Sequence, residues 1–286
     1  MLTRDIFEQG INMAKKFSFI PRQNFPDSGI VFESPDRKNV AKIALGIDVG
    51  TAELLYAKQQ GCDLVIAHHP IGAPLMGMAD EVSFQTKNLG FYGVPEKSVF
   101  SKIEEGAQKE RRRAAAYNIS NEATLAKNLD LDLMILHTPM DIIGIKIMQN
   151  VLEKEHCDTL ADCLNILATL GEFSLAAKFG QKPFIAHGDP TSKIGKISFS
   201  EFLGAEEGSK EIFQPLKNAG IDTLLVPHFS EDFFRSTVAA DLQIIYCGHM
   251  ASDSIGPNAF LDTLLTEKSD LEILPLGGFL RTAPQK

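Results

Sequence analysis

Residues 63–70 read DLVIAHHP, in which four consecutive apolar residues run directly into two histidines and a proline. A short, unbroken apolar run of this kind is typical of a strand that is buried on both faces. The stretch 41–48, AKIALGID, is also strand-like, and the intervening residues 52–61, AELLYAKQQG, predict a helix that ends at Gly61. Strand, helix and strand in this order predict a βαβ unit with parallel strands, and therefore the α/β class.

Similar apolar runs recur along the chain. Three of them contain or end in a histidine: DLMILHTPMD (132–141), IDTLLVPH (221–228) and LQIIYCGH (242–249). A short terminal strand is predicted at 271–278, LEILPLGG. Residues 76–130 carry charged helical patterns with few strand signals, so they predict a helical insert, and residues 180–203 predict a smaller α/β segment.

The charge balance argues against a nucleic-acid partner. The chain has a formal net charge of −9, whereas nucleic-acid binders normally present a basic face. The dense basic run Arg111–Arg113 is flanked by Glu104, Glu105 and Glu110, and we interpret it as a solvated helix face. No apolar stretch reaches 18 residues, so a membrane partner is not expected either.

The cysteines indicate a reducing compartment. They lie at positions 62, 157, 163 and 247, and none forms a CxxC pair of the kind that zinc ribbons and thioredoxin-like sites use. A disulfide framework is also unusual in a chain of this length. Because the first residues, MLTRDIFEQG, lack the apolar core of a signal peptide, we expect a cytoplasmic protein.

The histidines indicate where a functional site forms. Five of the seven follow or close a predicted apolar strand, namely His68, His69, His137, His228 and His249. In open α/β sheets, ligand sites form at the carboxyl ends of the strands. We therefore expect a site at this edge of the sheet, to which Asp48 at the end of the first strand could also contribute.

The pair His68–His69 offers two imidazoles at one strand end. Adjacent residues on a regular strand point to opposite faces, but the turn before Pro70 could direct both rings into one cleft, each toward a different metal ion. The alternative is that one histidine is a surface residue and the other a core residue.

A second candidate pair is His137 and Asp141, in the sequence HTPMD. Pro139 argues against a regular helix, so we expect a strand end and a turn that bring both side chains to the same side. Asp141 could then bridge two metal ions, and His137 could bind a metal or orient a ligand. The alternative is that Asp141 caps the turn.

The third pair is His249 and Asp253, in the sequence CGHMASD. If the helix that follows begins early, these residues are four apart on one helical face. The alternative is that Asp253 is a helix N-cap, a position that Asp and Ser favour without any metal.

Mixed imidazole and carboxylate ligands suit a divalent transition metal such as Zn, Mn, Fe, Co or Ni better than Ca or Mg. Two metal ions that share a carboxylate fit a hydrolytic site, because they make water nucleophilic near neutral pH. In such a site we expect His137 or His228 to carry the proton.

Three motifs resemble one known family. LVIAHHP, LHTPMD and CGHMASD, in this order, resemble the NGG-one interacting factor three family, also called type-2 GTP cyclohydrolase I homologues. The segments KIGKISFSEFLG (193–204) and VPHFSEDFFRST (226–237) resemble further parts of that family.

The resemblance implies a dinuclear metal centre with His68, His69, Asp141, His249 and Asp253 as ligands. It also implies a two-lobed α/β fold with mixed sheets flanked by helices, in which 1–165 plus 221–286 form the metal-site domain around a smaller inserted α/β domain at 166–220. A toroidal homohexamer is the usual assembly. GTP cyclohydrolase-type chemistry is attributed to some members, and others are described as metal-binding or regulatory proteins.

The chain departs from the family pattern at two places. Position 253 is Asp where the pattern has Glu, which shortens the side chain by one C–C bond, about 1.5 Å. The insert at 76–130 is longer than the pattern predicts, so it could cap the site or alter the oligomer.

Two functions from different classes fit these observations. The first is a metal-dependent hydrolase that acts on a small nucleotide-like or phosphorylated substrate. The alternative is a non-enzymatic metal-binding protein with a regulatory or metal-delivery role.

Overall fold

The computed structural model of the protein describes residues 1–199 and 208–282. The described strands are, in chain order, β1 (Gly29–Phe32), β2 (Lys42–Gly46), β3 (Leu64–Ala67), β4 (Asp132–Ile135), β5 (Phe184–His187), β6 (Ile197–Ser198), β7 (Thr223–Val226), β8 (Gln243–Tyr246) and β9 (Glu272–Leu276). They form two mixed sheets that are flanked by helices, which confirms the predicted α/β class.

The described helices are, in chain order, α1 (Thr3–Phe17), α2 (Thr51–Gln59), α3 (Met78–Phe91), α4 (Glu96–Ala114), α5 (Asn121–Leu129), α6 (Thr138–Lys154), α7 (Leu160–Leu167), α8 (Gly171–Ala177), α9 (Phe213–Asn218), α10 (Glu231–Ala239) and α11 (His249–Glu267). Short 3-10 turns at Ala73–Gly77 and Lys210–Ile212 precede α3 and α9. Of the segment 193–204 that resembles the family, residues 200–204 lie outside the described residues.

The first sheet has the strand order β1-β4-β3-β2-β9, and only β1 runs antiparallel to its neighbour. Strands β2 and β3 pair in parallel and are joined by α2, so the βαβ unit predicted from residues 41–70 is present. Every residue of β3 and β4 is buried, as expected for central strands between helical layers. The last strand, β9, joins this sheet beside β2, so the two ends of the chain share one sheet.

The second sheet has the strand order β5-β8-β7-β6. Strands β7 and β8 pair in parallel, and β5 closes the sheet as an antiparallel edge. The expected division placed 221–286 in one domain with 1–165; β9 pairs with strands of that part of the chain, whereas β7 and β8 pair with β5 and β6. Strand β7, helix α10 and strand β8 form a second βαβ unit, and the buried apolar strands of this unit pair with each other and with β5 and β6. The domain boundaries at 165 and 221 stay a prediction.

Two helices begin at or directly after a histidine of the site. Helix α6 begins at Thr138, so the expected turn at HTPMD is wrong: Pro139 lies in the first helical turn, where its missing N–H costs no hydrogen bond. Helix α11 begins at His249 and continues through Pro257, so the helix that follows CGHMASD does begin early. Asp253 is therefore inside a helix and is not an N-cap.

The insert at 76–130 is helical, as predicted, and consists mainly of α3, α4 and α5. Apolar residues of α3 and α4, among them Leu89 and Ile103, share one buried cluster with Leu216 of α9 and Leu224 of β7. The insert is thus packed against the second sheet, and it reaches toward the end of the first. Among the described residues, no single helix is long and apolar enough to cross a membrane; α7 and α8 pass that test only as a pair, which is bent by 90°.

Candidate metal centre

The carboxyl ends of the two sheets face one cavity of about 690 Å³. His68 and His69 follow β3, and His137 follows β4, all in the first sheet. His228 and His249 follow β7 and β8 in the second sheet. All five of these histidines line the cavity, together with Asp48, Asp141 and Asp253. The structure therefore brings together every residue that the sequence singled out for the site.

The carboxylate of Asp253 lies among three imidazoles. Its Oδ2 atom is 2.9 Å from Nε2 of His249, 3.2 Å from Nε2 of His69 and 3.6 Å from Nε2 of His68. Burial alone would raise the pKa of Asp253, but the hydrogen bond with His249 and the neighbouring imidazoles hold this pKa below its ordinary value. Asp253 therefore carries a negative charge at the centre of the cluster.

Asp141 lies in the first turn of α6 and is the second buried carboxylate. Its Oδ1 atom is 3.4 Å from Nε2 of His68, while its Oδ2 atom is buried and has no hydrogen-bond partner among the described residues. Burial, followed by the charges of Asp253 and Asp27, raises the pKa of Asp141 well above its ordinary value. A buried carboxylate oxygen without a partner is costly unless a cation or donor binds it, so this atom fits a metal ligand.

The pKa values of His68 and His69 are shifted in opposite directions. Burial lowers the pKa of His68 well below its ordinary value, so its ring is neutral, and its Nδ1 lies 3.4 Å from the carbonyl oxygen of Leu136. Burial would also lower the pKa of His69, but hydrogen bonds with Asp253 and Asp48 outweigh it and raise this pKa to about 9. The Nδ1 of His69 is 2.6 Å from Oδ1 of Asp48, the arrangement by which outer carboxylates orient metal-binding histidines.

His137 is oriented by a residue that the sequence analysis did not identify. Its Nδ1 is 2.8 Å from Oδ2 of Asp27, which is fully buried and also accepts hydrogen bonds from the backbone N–H and the hydroxyl of Thr138. Burial raises the pKa of Asp27, but these hydrogen bonds outweigh it and leave the pKa lowered. Asp27 lies in the irregular segment FPDSG, where no periodic pattern marks it; its position is visible only once β1 is seen to pair with β4.

The ligand atoms fall into overlapping groups that could hold metal ions. His69, His249 and Asp253 form one group, and His68, Asp141 and Asp253 form another, with the ligand atoms of each within 4.8 Å of one another. A third group of the same kind consists of His68, His69 and His137. Asp253 belongs to both of the first two groups, so the shorter side chain at this position still reaches both.

The helical insert forms one wall of the cavity. Glu110 and Arg113 of α4 line it, as do residues of the loop that follows, Tyr117–Ile119. The insert therefore borders the site on one side, and the expected capping and change of oligomer both stay predictions. Arg111, Arg112 and Arg113 are all exposed, as expected for a solvated helix face, although Arg113 also lines the cavity and Arg111 pairs with Asp80.

The fold and the site define an α/β protein with a His/Asp cluster where two mixed sheets meet. A family model described as Duf34/NIF3 (NGG1p interacting factor 3) matches residues 12–86. The crystal structure of a NIF3 superfamily protein from Sphaerobacter thermophilus is 27% identical with a TM-score of 0.83, and the match covers 96% of this chain and 98% of that one. The chain is therefore similar to NIF3 proteins, in sequence over residues 12–86 and in fold over nearly its whole length, which confirms the resemblance predicted from the three motifs.

Two more distant structures show the same fold. Reduced HcgD from Methanocaldococcus jannaschii is 14% identical with a TM-score of 0.61, over 96% of this chain and 98% of that one. The protein ybgI, described as of unknown function, is 16% identical with a TM-score of 0.53, over 97% and 98% of the two chains. No curated protein matches the sequence.

Proposed function

We propose that the protein is a dinuclear-metal-dependent hydrolase, of the type-2 GTP cyclohydrolase kind, acting on a small nucleotide-like or phosphorylated substrate. The observation that carries the proposal is the position of Asp253, whose carboxylate belongs to both of two ligand groups. His69 and His249 would hold one ion with it, and His68 and Asp141 the other. The unpartnered Oδ2 of Asp141 supports this assignment, since a cation would satisfy it.

Divalent Zn, Mn, Fe, Co or Ni would supply a Lewis acid and make water nucleophilic at neutral pH. The residues of the chain supply orientation and proton transfer. Because Nδ1 of His137 donates to Asp27, the Nε2 of this ring keeps its lone pair and can accept a proton. His228 lies on the other side of the cluster, with its ring centroid 4.4 Å from that of His249, and would serve as a second proton carrier.

The cavity supports a small-molecule substrate. Its volume of about 690 Å³ lies within the usual range for small-molecule sites. Its walls combine apolar residues such as Ile71 and Leu75 with the polar cluster, so a ligand can bury an organic body while a polar group faces the metal ligands.

The second candidate function is metal binding without turnover, in regulation or metal delivery. One observation favours it: the side chain of His249 is 35% exposed and that of His69 is 25% exposed. Ligands that face solvent allow a metal ion to exchange with a partner protein or a chelator.

The proposal is tested by elemental analysis of untagged protein, in which the metal content per chain of the wild type is compared with that of the double variant His68→Ala/His249→Ala. We expect about two transition metals per chain in the wild type and a loss in the folded variant, and then metal-dependent hydrolysis in a screen of nucleotides, phosphoesters and cyclic amides. Background metal in both proteins, after incubation with Zn, Mn and Fe, would refute the metal centre. Bound, exchangeable metal without hydrolysis would favour the second candidate.

A cytoplasmic location and a homohexamer complete the proposal. The four free cysteines support the first, since a reducing compartment keeps thiols reduced. The family resemblance supports the second. Light scattering coupled to size-exclusion chromatography tests the hexamer, and a monomer would refute it.

A further inference from the structure

The three consecutive arginines of α4 face three different surroundings. Successive residues of a helix are about 100° apart, so Arg111, Arg112 and Arg113 cannot share a face. Arg111 donates from Nη2 to Oδ1 of Asp80 at 3.0 Å. Arg112 lines a separate groove that also contains lysines, among them Lys102. Arg113 alone of the three lines the cavity of the metal centre.

Arg113, which lines the cavity, pairs with a neighbouring carboxylate. Its Nε lies 3.6 Å from Oε2 of Glu110, one helical turn earlier, and the side chain of Glu110 is only 11% exposed. Both residues line the cavity. The side chain of Arg113 is itself 50% exposed, so a ligand that enters from solvent can reach it.

The charges on the cavity wall are uneven. Its acidic residues are Asp48, Glu110, Glu122, Asp141 and Asp253. Among the described residues that line the cavity, Arg113 is the one with a permanent positive charge, because the others with basic side chains are histidines. An anionic group that enters this cavity therefore has one protein cation to bind, on the insert.

The apolar residues beside Arg113 indicate the rest of the ligand. Ile119 and Tyr117 of the insert, and Pro70 and Ile71 after β3, line the same cavity. They form a surface on which a planar or apolar body can pack while its anionic end reaches the guanidinium.

We propose that Arg113 binds the phosphate group of the substrate and thereby makes the helical insert the part of the chain that selects phosphorylated ligands. This rests on the proposed function, in that the other end of the same ligand lies at the His/Asp cluster. The guanidinium presents a planar fork that matches phosphate oxygens, which a lysine at this position would not reproduce.

Calorimetric titration of the metal-loaded protein with two probes, guanosine monophosphate and guanosine, tests the inference. We expect Arg113→Ala to weaken binding of the monophosphate by about tenfold or more and to leave guanosine binding unchanged, because charged hydrogen bonds to phosphate are lost. Arg113→Lys should restore part of the difference. Arg112→Ala, on the same helix but outside the cavity, is the matched control and should leave both affinities unchanged. If Arg113→Ala does not fold, Arg113→Gln replaces it, and the same loss of monophosphate binding is expected.

The inference would be overturned if the wild type bound both probes with equal affinity or bound neither of them. It would also be overturned if the Arg113 and Arg112 variants lost equal affinity for the monophosphate. Equal weakening of both probes in Arg113→Ala would also overturn it. Metal content and hydrolysis, measured on the same preparations, keep the two proposals apart. If Arg113→Ala loses the preference for the monophosphate but the wild type hydrolyses nothing, the hydrolase proposal alone is refuted. If the wild type hydrolyses a substrate and Arg113→Ala does so equally well, the phosphate role of Arg113 alone is refuted.

Discussion

Gly256 of α11 lies so close to Met140 of α6 that a Cβ atom at position 256 would be 1.9 Å from the carbonyl oxygen of Met140. The contact joins the two helices that carry the buried carboxylates of the site, since Asp253 is three residues before Gly256 and Asp141 directly follows Met140. The short distance between these helices, which only glycine permits here, therefore places both carboxylates beside His68.

Gly256→Ala should therefore reduce both stability and metal content. The added methyl group must push α11 away from α6, an overpacking that costs about 1–3 kcal/mol and separates Asp253 from Asp141. Thermal unfolding and elemental analysis measure the two effects. Gly90→Ala is the control, because a Cβ at position 90 of α3 would be 3.5 Å from Cγ of Glu96, an ordinary contact. Unchanged metal content in a destabilised Gly256→Ala protein would show that the helix spacing does not set the site.

Asp253→Asn should abolish metal binding, whereas Asp253→Glu should retain it. The amide lacks the negative charge that both ligand groups share, and the longer acid is the residue that the family pattern has at this position. Metal content per chain measures both. Asp270→Asn, at an exposed turn, is the control and should bind as the wild type does. Full metal content in Asp253→Asn would contradict the shared-ligand role.

Asp27→Ala should lower the free energy of unfolding by about 3 kcal/mol, because the buried donors of His137 and Thr138 lose their acceptor. It should also release the ring of His137, so that both tautomers are seen in nitrogen NMR spectra of the imidazole. Chemical denaturation measures the stability. Asp36→Ala, an exposed acid in the same N-terminal region, should change neither. A single, unchanged tautomer in Asp27→Ala would show that Asp27 does not orient the ring.

Glu172 should make stability depend on pH. Burial raises its pKa, although hydrogen bonds from Asn258 and Thr282 partly oppose this. The folded pKa is thus above the unfolded value of 4.5, so the folded state holds the proton more tightly. The stability that this proton contributes is fully present below pH 4.5 and is lost as the pH rises through the folded pKa.

The variant Glu172→Gln cannot ionise, so its stability relative to the wild type should improve as the pH rises from 4.5 through the raised pKa of Glu172. Denaturation at several pH values measures the difference. Glu8→Gln, an exposed acid of α1, should show no such trend. A constant difference across this pH range would mean that Glu172 is not held protonated by the fold.

The sequence was informative wherever a residue lies next to a strand. His68, His69 and His249 could be placed because apolar runs mark the strands, and carboxyl ends of parallel strands meet at one edge. Proline was misleading at 139, since its effect depends on where in a helix it falls, and Pro139 lies in the first turn of α6, where no hydrogen bond is lost.

The rest of the site depends on contacts between distant parts of the chain. Asp27 reaches His137 across 110 residues, and no local pattern records that pairing. The apolar runs at 221–228 and 242–249 predicted strands correctly, but local patterns do not specify which sheet a strand joins. Likewise, the helical pattern of the insert does not show that one arginine of three faces the cavity.

The two imidazoles of His69 and His249 are 180 residues apart in sequence, and each follows a strand of a different sheet. An ion held by both would cross-link most of the chain, and the loop that it closes is long enough for the entropic gain to be large. Its free energy of binding would then add to that of folding, and the melting temperature would rise with the free metal concentration. The thermal stability of this protein would in that case report how much transition metal its surroundings supply.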